Sequence, residues 1–137
     1  MAQFYLLSVV TTVLSGLVLS GDYLGARLPA LATFRAWSES RGAAMTLGLA
    51  TAIIGFIKFF VRAPGDSVAV VGDLLPALAG LAVGLTLFFE AMLRKPAASE
   101  RKVEKVAKAV LTYRVPVGLV GVAIAIVHFL FPRAVIL

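Results

Sequence analysis

Residues 4–29 read FYLLSVVTTVLSGLVLSGDYLGARLP, and residues 72–97 read GDLLPALAGLAVGLTLFFEAMLRKPA. Aligned at an offset of 68 residues, the two stretches share five identical positions, Leu6/Leu74, Leu7/Leu75, Gly16/Gly84, Leu17/Leu85 and Leu19/Leu87. In the same alignment Asp22 falls on Glu90, at the end of the apolar part of each stretch. Two apolar stretches that repeat in this way predict a duplicated membrane unit.

The similarity continues in the segments that follow, at an offset of 70 residues. Four positions there are identical, Gly48/Gly118, Leu49/Leu119, Ile54/Ile124 and Phe59/Phe129. Lys58 falls on His128. The sequence therefore predicts a single membrane domain, residues 1–137, with one repeat over residues 4–61 and a second over residues 72–132.

The composition is that of a membrane protein. The 137 residues are 61% hydrophobic, with a mean hydropathy of +1.00, and no charged residue occurs in 1–21, 42–57, 74–89 or 115–132. With their flanks these stretches reach the roughly 17–25 residues of a membrane span. None shows the polar face of a soluble bundle helix. We therefore predict an all-α integral membrane protein with four transmembrane helices, over residues 4–20, 42–61, 73–93 and 116–132.

Two loops between these spans carry amphipathic segments. In the loop 21–42, Leu31, Phe34 and Trp37 recur at helical spacing after Pro29. In the loop 94–114, apolar residues recur on one side of a helix and basic residues on the opposite side. This pattern predicts an interfacial helix that ends before Pro116. Four basic residues of this helix are predicted to contact anionic lipid, namely Arg101, Lys102, Lys105 and Lys108.

The basic residues also predict the orientation in the cell membrane. The loops 21–42 and 94–114 together hold ten lysines and arginines, whereas the opposite side holds three. Basic loops stay in the cytoplasm, so both termini are predicted to lie outside. Each repeat contains two spans, so the two repeats are parallel and are related by an axis along the membrane normal. The net charge is +6, but the basic residues responsible for it flank the membrane spans, so no nucleic-acid partner is expected.

The matched acidic residues Asp22 and Glu90 are candidates for an ion or proton site. Carboxylates within a membrane usually serve a function, and a pair of them can bind a cation or relay protons. The alternative is structural: both residues lie at the membrane interface, where Arg27 and Lys95 neutralise them. Both interpretations remain open at the level of sequence.

Lys58 and His128 are the second matched pair and the second candidate site. A histidine near the end of a span can carry protons, ligate haem or bind a quinone, or it can simply pack between helices. Lys58 lies close enough to its span's end to extend its ammonium towards the headgroups. The chain has no cysteine, so thiolate metal sites and disulfides are excluded.

Small residues inside the spans predict close helix packing. The glycines concerned are Gly16, Gly48, Gly80, Gly84 and Gly118. Since four spans rarely enclose a wide pathway, a homo-oligomer, either a dimer or a trimer, is expected.

Three classes of function fit these observations. The first is a homo-oligomeric transporter or ion channel that handles cations or protons. The second is a non-catalytic accessory, scaffold or assembly subunit of a larger membrane complex. The third, a membrane enzyme or a cofactor anchor, would rest on His128 alone. The sequence contains no soluble catalytic motif, so we expect neither enzymatic activity nor a bound cofactor or metal.

Overall fold

The structure is a computed structural model that describes residues 2–60, 74–94 and 101–131. Over these residues the fold is all-α, as predicted, with one short 3₁₀ turn at Pro29–Leu31. The six α-helices are α1 (Ala2–Leu19), α2 (Gly21–Gly25), α3 (Ala32–Ser38), α4 (Arg41–Lys58), α5 (Leu74–Leu93) and α6 (Arg101–Leu130).

Three helices of the described chain are long and apolar enough to cross a membrane. They are α4, α5 and the part of α6 from Glu104 to Leu130, and they suggest a membrane protein. At 1.5 Å per residue, α4 and α5 are about 27 and about 30 Å long, close to the roughly 30 Å hydrocarbon core. The apolar stretch of α1, Gln3–Leu19, is shorter, so the four-span arrangement stays a prediction.

One helix boundary differs from the prediction. We expected an interfacial helix before Pro116 and a separate span after it, but α6 runs through Pro116 as one 30-residue helix. A proline inside a helix removes its own N–H bond to the preceding turn and brings its ring against the carbonyl four residues earlier, which together cost about 3 kcal/mol. The residues before it are good helix formers, and the apolar residues after it have only helical hydrogen bonds available in lipid. The helical hydrogen bonds on both sides of Pro116 therefore outweigh the cost of the proline.

The long helices form a bundle in which α4 packs closely on α5, and α1 packs on α6. Helix α1 also contacts α4 and α5, whereas α4 and α6 make no extensive contact. The buried core lies where the long helices meet and consists of Val18, Leu19, Ala44, Val83, Leu87 and Ala91. This arrangement brings the end of α1, the end of α5 and the middle of α6 to the same level.

Glycines lie at close contacts between α4 and α5 and between α1 and α6. A Cβ atom on Gly48 of α4 would come within 2.9 Å of the Gly84 carbonyl oxygen of α5. A Cβ atom on Gly16 of α1 would come within 2.7 Å of the Gly118 carbonyl oxygen of α6. At both points the backbones are too close for any side chain, which is the arrangement small residues allow in membrane helices. Gly80 of α5 lies against the Thr12 hydroxyl of α1, which would be 3.3 Å from an added Cβ.

Candidate functional site

Four charged residues meet where α1 ends, and we call them the Arg114 cluster: Asp22, Glu90, Arg94 and Arg114. Arg114 of α6 forms ion pairs with both Asp22 and Glu90. Its Nη1 donates to Glu90 Oε1 at 2.8 Å. Arg114 therefore connects the two acidic residues that the sequence alignment matched.

Glu90 is the buried member of the Arg114 cluster, with a side chain only 5% exposed, whereas that of Asp22 is 51% exposed. Arg94, one turn later on α5, donates to the same Oε1 atom at 3.1 Å. The other oxygen, Oε2, is buried and accepts no hydrogen bond from the part of the chain that the structure describes. The two oxygens of one carboxylate thus have different surroundings.

The arginines also attach the Arg114 cluster to the loop before α4. Arg94 donates to the carbonyl oxygens of Ser38 and Glu39, at 3.2 and 3.1 Å. Arg41 at the start of α4 donates to the Ala91 carbonyl at 3.1 Å, next to Glu90 in the sequence. These bonds satisfy carbonyl groups at helix ends, where the helix itself leaves them without partners.

The residues that the sequence offered as neutralising partners lie elsewhere. The Arg27 guanidinium stands over the Tyr23 ring, 4.5 Å from its centre. Lys95 is outside the described residues. The sequence analysis missed Arg114 as the shared partner. The available signal was its position, because it is the last charged residue before the apolar stretch 115–132.

At the opposite end of the bundle, three residues form what we call the His128 cluster: Tyr5, Lys58 and His128. The Tyr5 hydroxyl donates to the His128 carbonyl at 2.6 Å, and the two rings are 5.0 Å apart. The Lys58 ammonium lies 5.7 Å from the centre of the Tyr5 ring. The second matched pair therefore also meets at a third residue, Tyr5, which the sequence analysis did not single out.

A small cavity of about 10 Å³ adjoins the His128 cluster. Lys58, His128, Ser8 and Thr12 contribute polar groups to its wall, and the remaining lining is apolar. A cavity of this size holds about one water molecule, provided that it offers two or more polar partners.

Hydroxyl side chains follow the inward face of α1 between the two clusters. Four of them are buried, at Ser8, Thr11, Thr12 and Ser15, and Ser20, directly after the helix, is buried as well. The sequence analysis saw no polar face on this span, because serine and threonine among leucine and valine leave the segment strongly apolar on average. Their positions at helical spacing were the signal that it overlooked.

The hydroxyl groups of α1 are joined to α4 through Thr51. Ser15 Oγ lies 2.7 Å from Thr51 Oγ1. Thr51 can also donate to the Leu47 carbonyl at 2.8 Å and to the Thr11 carbonyl at 3.2 Å. The hydroxyls of Ser8, Thr11 and Ser20 donate to backbone carbonyl oxygens of the preceding turn, at 2.7, 3.2 and 2.7 Å, so these buried groups are satisfied as lipid requires.

The structure describes the side chains of two of the four basic residues that were predicted to contact anionic lipid. Lys105 and Lys108 are exposed on α6, whereas the side chains of Arg101 and Lys102 lie outside the described part. Among the described residues there is no group of three histidine, cysteine or acidic side chains that could hold a metal ion.

A protein-family model matches residues 1–128 of the chain, which is nearly its whole length. No curated protein and no solved structure matches it.

Proposed function

We propose that this chain, which belongs to the family whose model matches residues 1–128, is a small membrane protein that transports or conducts protons. This narrows the transporter or channel hypothesis to one cation. The observation that carries it is that buried polar side chains occur at both ends of the bundle, at His128 and Glu90, and along α1 between them, at Ser8, Thr11, Thr12 and Ser15. Chains of acidic and histidine residues inside membranes are typical of proton relays.

The size of the cavity at the His128 cluster favours protons over hydrated metal cations. The cavity at the His128 cluster has room for about one water molecule. A proton passes between hydrogen-bonded groups and needs no wider path.

Glu90 Oε2 is the atom that we assign as a proton acceptor. Both arginines contact Oε1, so the second oxygen has free lone pairs in a buried position within the described part of the protein. A proton bound there neutralises one of the two carboxylates that Arg114 now balances. Arg114 then remains paired with Asp22, so the cluster tolerates the change of charge.

We propose that the pathway follows the twofold axis of a four-span, two-repeat bundle. Helix α1 has 18 residues, as many as α4, which supports counting it as the fourth span. The offset of 68 residues also matches Thr12 with Gly80, and these two residues are in contact. Equivalent residues of two repeats meet only near the axis that relates them.

The other matched positions support the same axis. Asp22 and Glu90 meet at Arg114, and Lys58 and His128 meet at Tyr5. The glycine contacts Gly16–Gly118 and Gly48–Gly84 are exchanged by the alignment, as a twofold relation requires. In this proposal the Arg114 cluster faces the cytoplasm and the His128 cluster faces outward.

The test is proton flux in liposomes that contain the purified protein and an internal pH-sensitive dye, driven by a potassium gradient with valinomycin. We expect flux above that of protein-free liposomes, and we expect Glu90→Gln to abolish the excess. The matched control is Glu104→Gln on the exposed start of α6, which should conduct like the wild type. Circular dichroism and gel filtration establish that each variant is folded. Wild-type flux equal to that of empty liposomes, or full flux in a folded Glu90→Gln variant, would refute the proposal.

The second candidate function, an accessory or assembly subunit, is favoured by the same ion pairs. Arg114 joins α6 to α5 and to the segment after α1, which is also what a purely structural bundle needs. Native mass spectrometry of protein extracted from its own membrane distinguishes the two. Fixed stoichiometry with larger subunits favours the accessory function, whereas the chain alone or as a homo-oligomer favours transport.

A further inference from the structure

An open apolar groove lies between α5 and α6, and it shares Ala79 and Ile124 with the cavity that adjoins the His128 cluster. Its volume is about 260 Å³. Ala79, Ala82 and Val83 of α5 line one side, and Val117, Val120 and Ile124 of α6 are among the residues on the other. Small side chains on α5 create the depression, because alanines leave space beside the larger residues of α6.

The groove is no longer than about one membrane leaflet. Its lining extends from Tyr113 to Ile124 on α6, which is about 16 Å along the helix, and from Ala79 to Val83 on α5, which is about 6 Å. Half of a hydrocarbon core is about 15 Å. A transmembrane helix of a second copy would need a seam along the full span, whereas one acyl chain fills half of it. The dimensions therefore favour a lipid chain over a packed helix.

Polar and basic residues stand at one end of the groove. Tyr113 at that end is exposed, as tyrosines at the headgroup level usually are. Lys105 is also exposed and lies eight residues earlier on α6, so it shares a stripe of the helix with Tyr113. At that level an ammonium group complements the negative charge of a lipid phosphate.

We propose that this groove binds one acyl chain of an anionic phospholipid, with the headgroup near Tyr113 and the ammonium of Lys105. The bound lipid covers the apolar side chains between α5 and α6. It also places a negative charge beside the first turns of α6, where residues 104–113 are mostly exposed. The proposal is independent of proton transport, since none of the groove residues belongs to the Arg114 or His128 cluster.

The experiment is native mass spectrometry of delipidated protein mixed with phosphatidylglycerol or phosphatidylcholine of identical acyl chains. We expect the wild type to retain one phosphatidylglycerol in preference to phosphatidylcholine. Ala82→Trp fills the groove and should abolish this binding. Leu85→Trp is the matched control, because Leu85 is exposed on the same helix but does not line the groove. Lys105→Gln should reduce the preference for the anionic lipid by about fivefold without preventing binding of phosphatidylcholine.

Two results would overturn the proposal. The first is equal retention of phosphatidylglycerol by the wild type and a folded Ala82→Trp variant. The second is a wild-type dimer that becomes a monomer in Ala82→Trp while lipid binding stays the same, since the groove would then hold a second copy of the chain.

Discussion

The two polar ends of this bundle differ in what holds them together, although each is built around a matched pair of the internal repeat. In the Arg114 cluster, two carboxylates and two guanidinium groups form direct ion pairs that join α5, α6 and Asp22 of α2. In the His128 cluster, Tyr5 contributes a ring contact and a hydrogen bond to a backbone carbonyl. In both clusters the residues that the sequence alignment matched lie near a shared third residue, but different types of interaction join them.

The largest effect should follow from breaking the ion pairs of the Arg114 cluster. Arg114→Gln removes a partner of both Asp22 and Glu90 and leaves Glu90 with Arg94 alone. Because the buried Glu90 carboxylate keeps only one of its two charged donors, we expect the free energy of unfolding to fall by about 3 kcal/mol. Chemical unfolding in mild detergent, followed by circular dichroism, measures the change.

The control for this prediction is Arg27→Gln, whose guanidinium stacks on the ring of Tyr23. Its loss should change stability by less than about 1 kcal/mol, as expected for an exposed cation–π contact. Equal losses in the two variants would show that the ion pairs of the Arg114 cluster do not hold this end of the bundle.

An intermediate effect is expected from the helix contact that lies between the two ends. Gly84→Ala places a methyl group against the backbone of Ala52 on α4, so α4 and α5 must separate. Overpacking of this kind costs about 1–3 kcal/mol. Gly42→Ala is the control, because nothing lies within 4 Å of a Cβ atom at that position of α4. Thermal unfolding should distinguish the two substitutions, and a Gly84→Ala variant as stable as the wild type would contradict the close contact.

The smallest effect should come from the His128 cluster. Tyr5→Phe removes the hydroxyl that donates to the His128 carbonyl but keeps the ring next to His128 and Lys58. Hydrogen bonds between membrane helices contribute about 0.6 kcal/mol on average, so we expect a loss of that order. Tyr23→Phe, on an exposed tyrosine, is the comparison. A loss as large as that of Arg114→Gln would mean that the two ends are equally dependent on polar bonds.

The helices were the part of this fold that could be predicted. Apolar stretches of about 20 residues predict helices because lipid offers no other partner for the backbone. Two features were missed for a common reason. Both features, the hydroxyl face of α1 and the passage of α6 through Pro116, depend on local spacing. Average hydropathy pointed to a uniformly apolar α1, and the usual effect of proline pointed to a break in α6.

The sequence by itself determined that the chain is helical and apolar, because these properties depend on composition and on periodicity along the chain. It also holds a similarity between residues 4–61 and 72–132, which predicts two repeats. Only the tertiary structure decided that Arg114 is the shared partner of Asp22 and Glu90, and that Tyr5 lies between Lys58 and His128. The reason is that these contacts join residues far apart in the chain, so they depend on the rotation and depth of each helix, which no local pattern specifies.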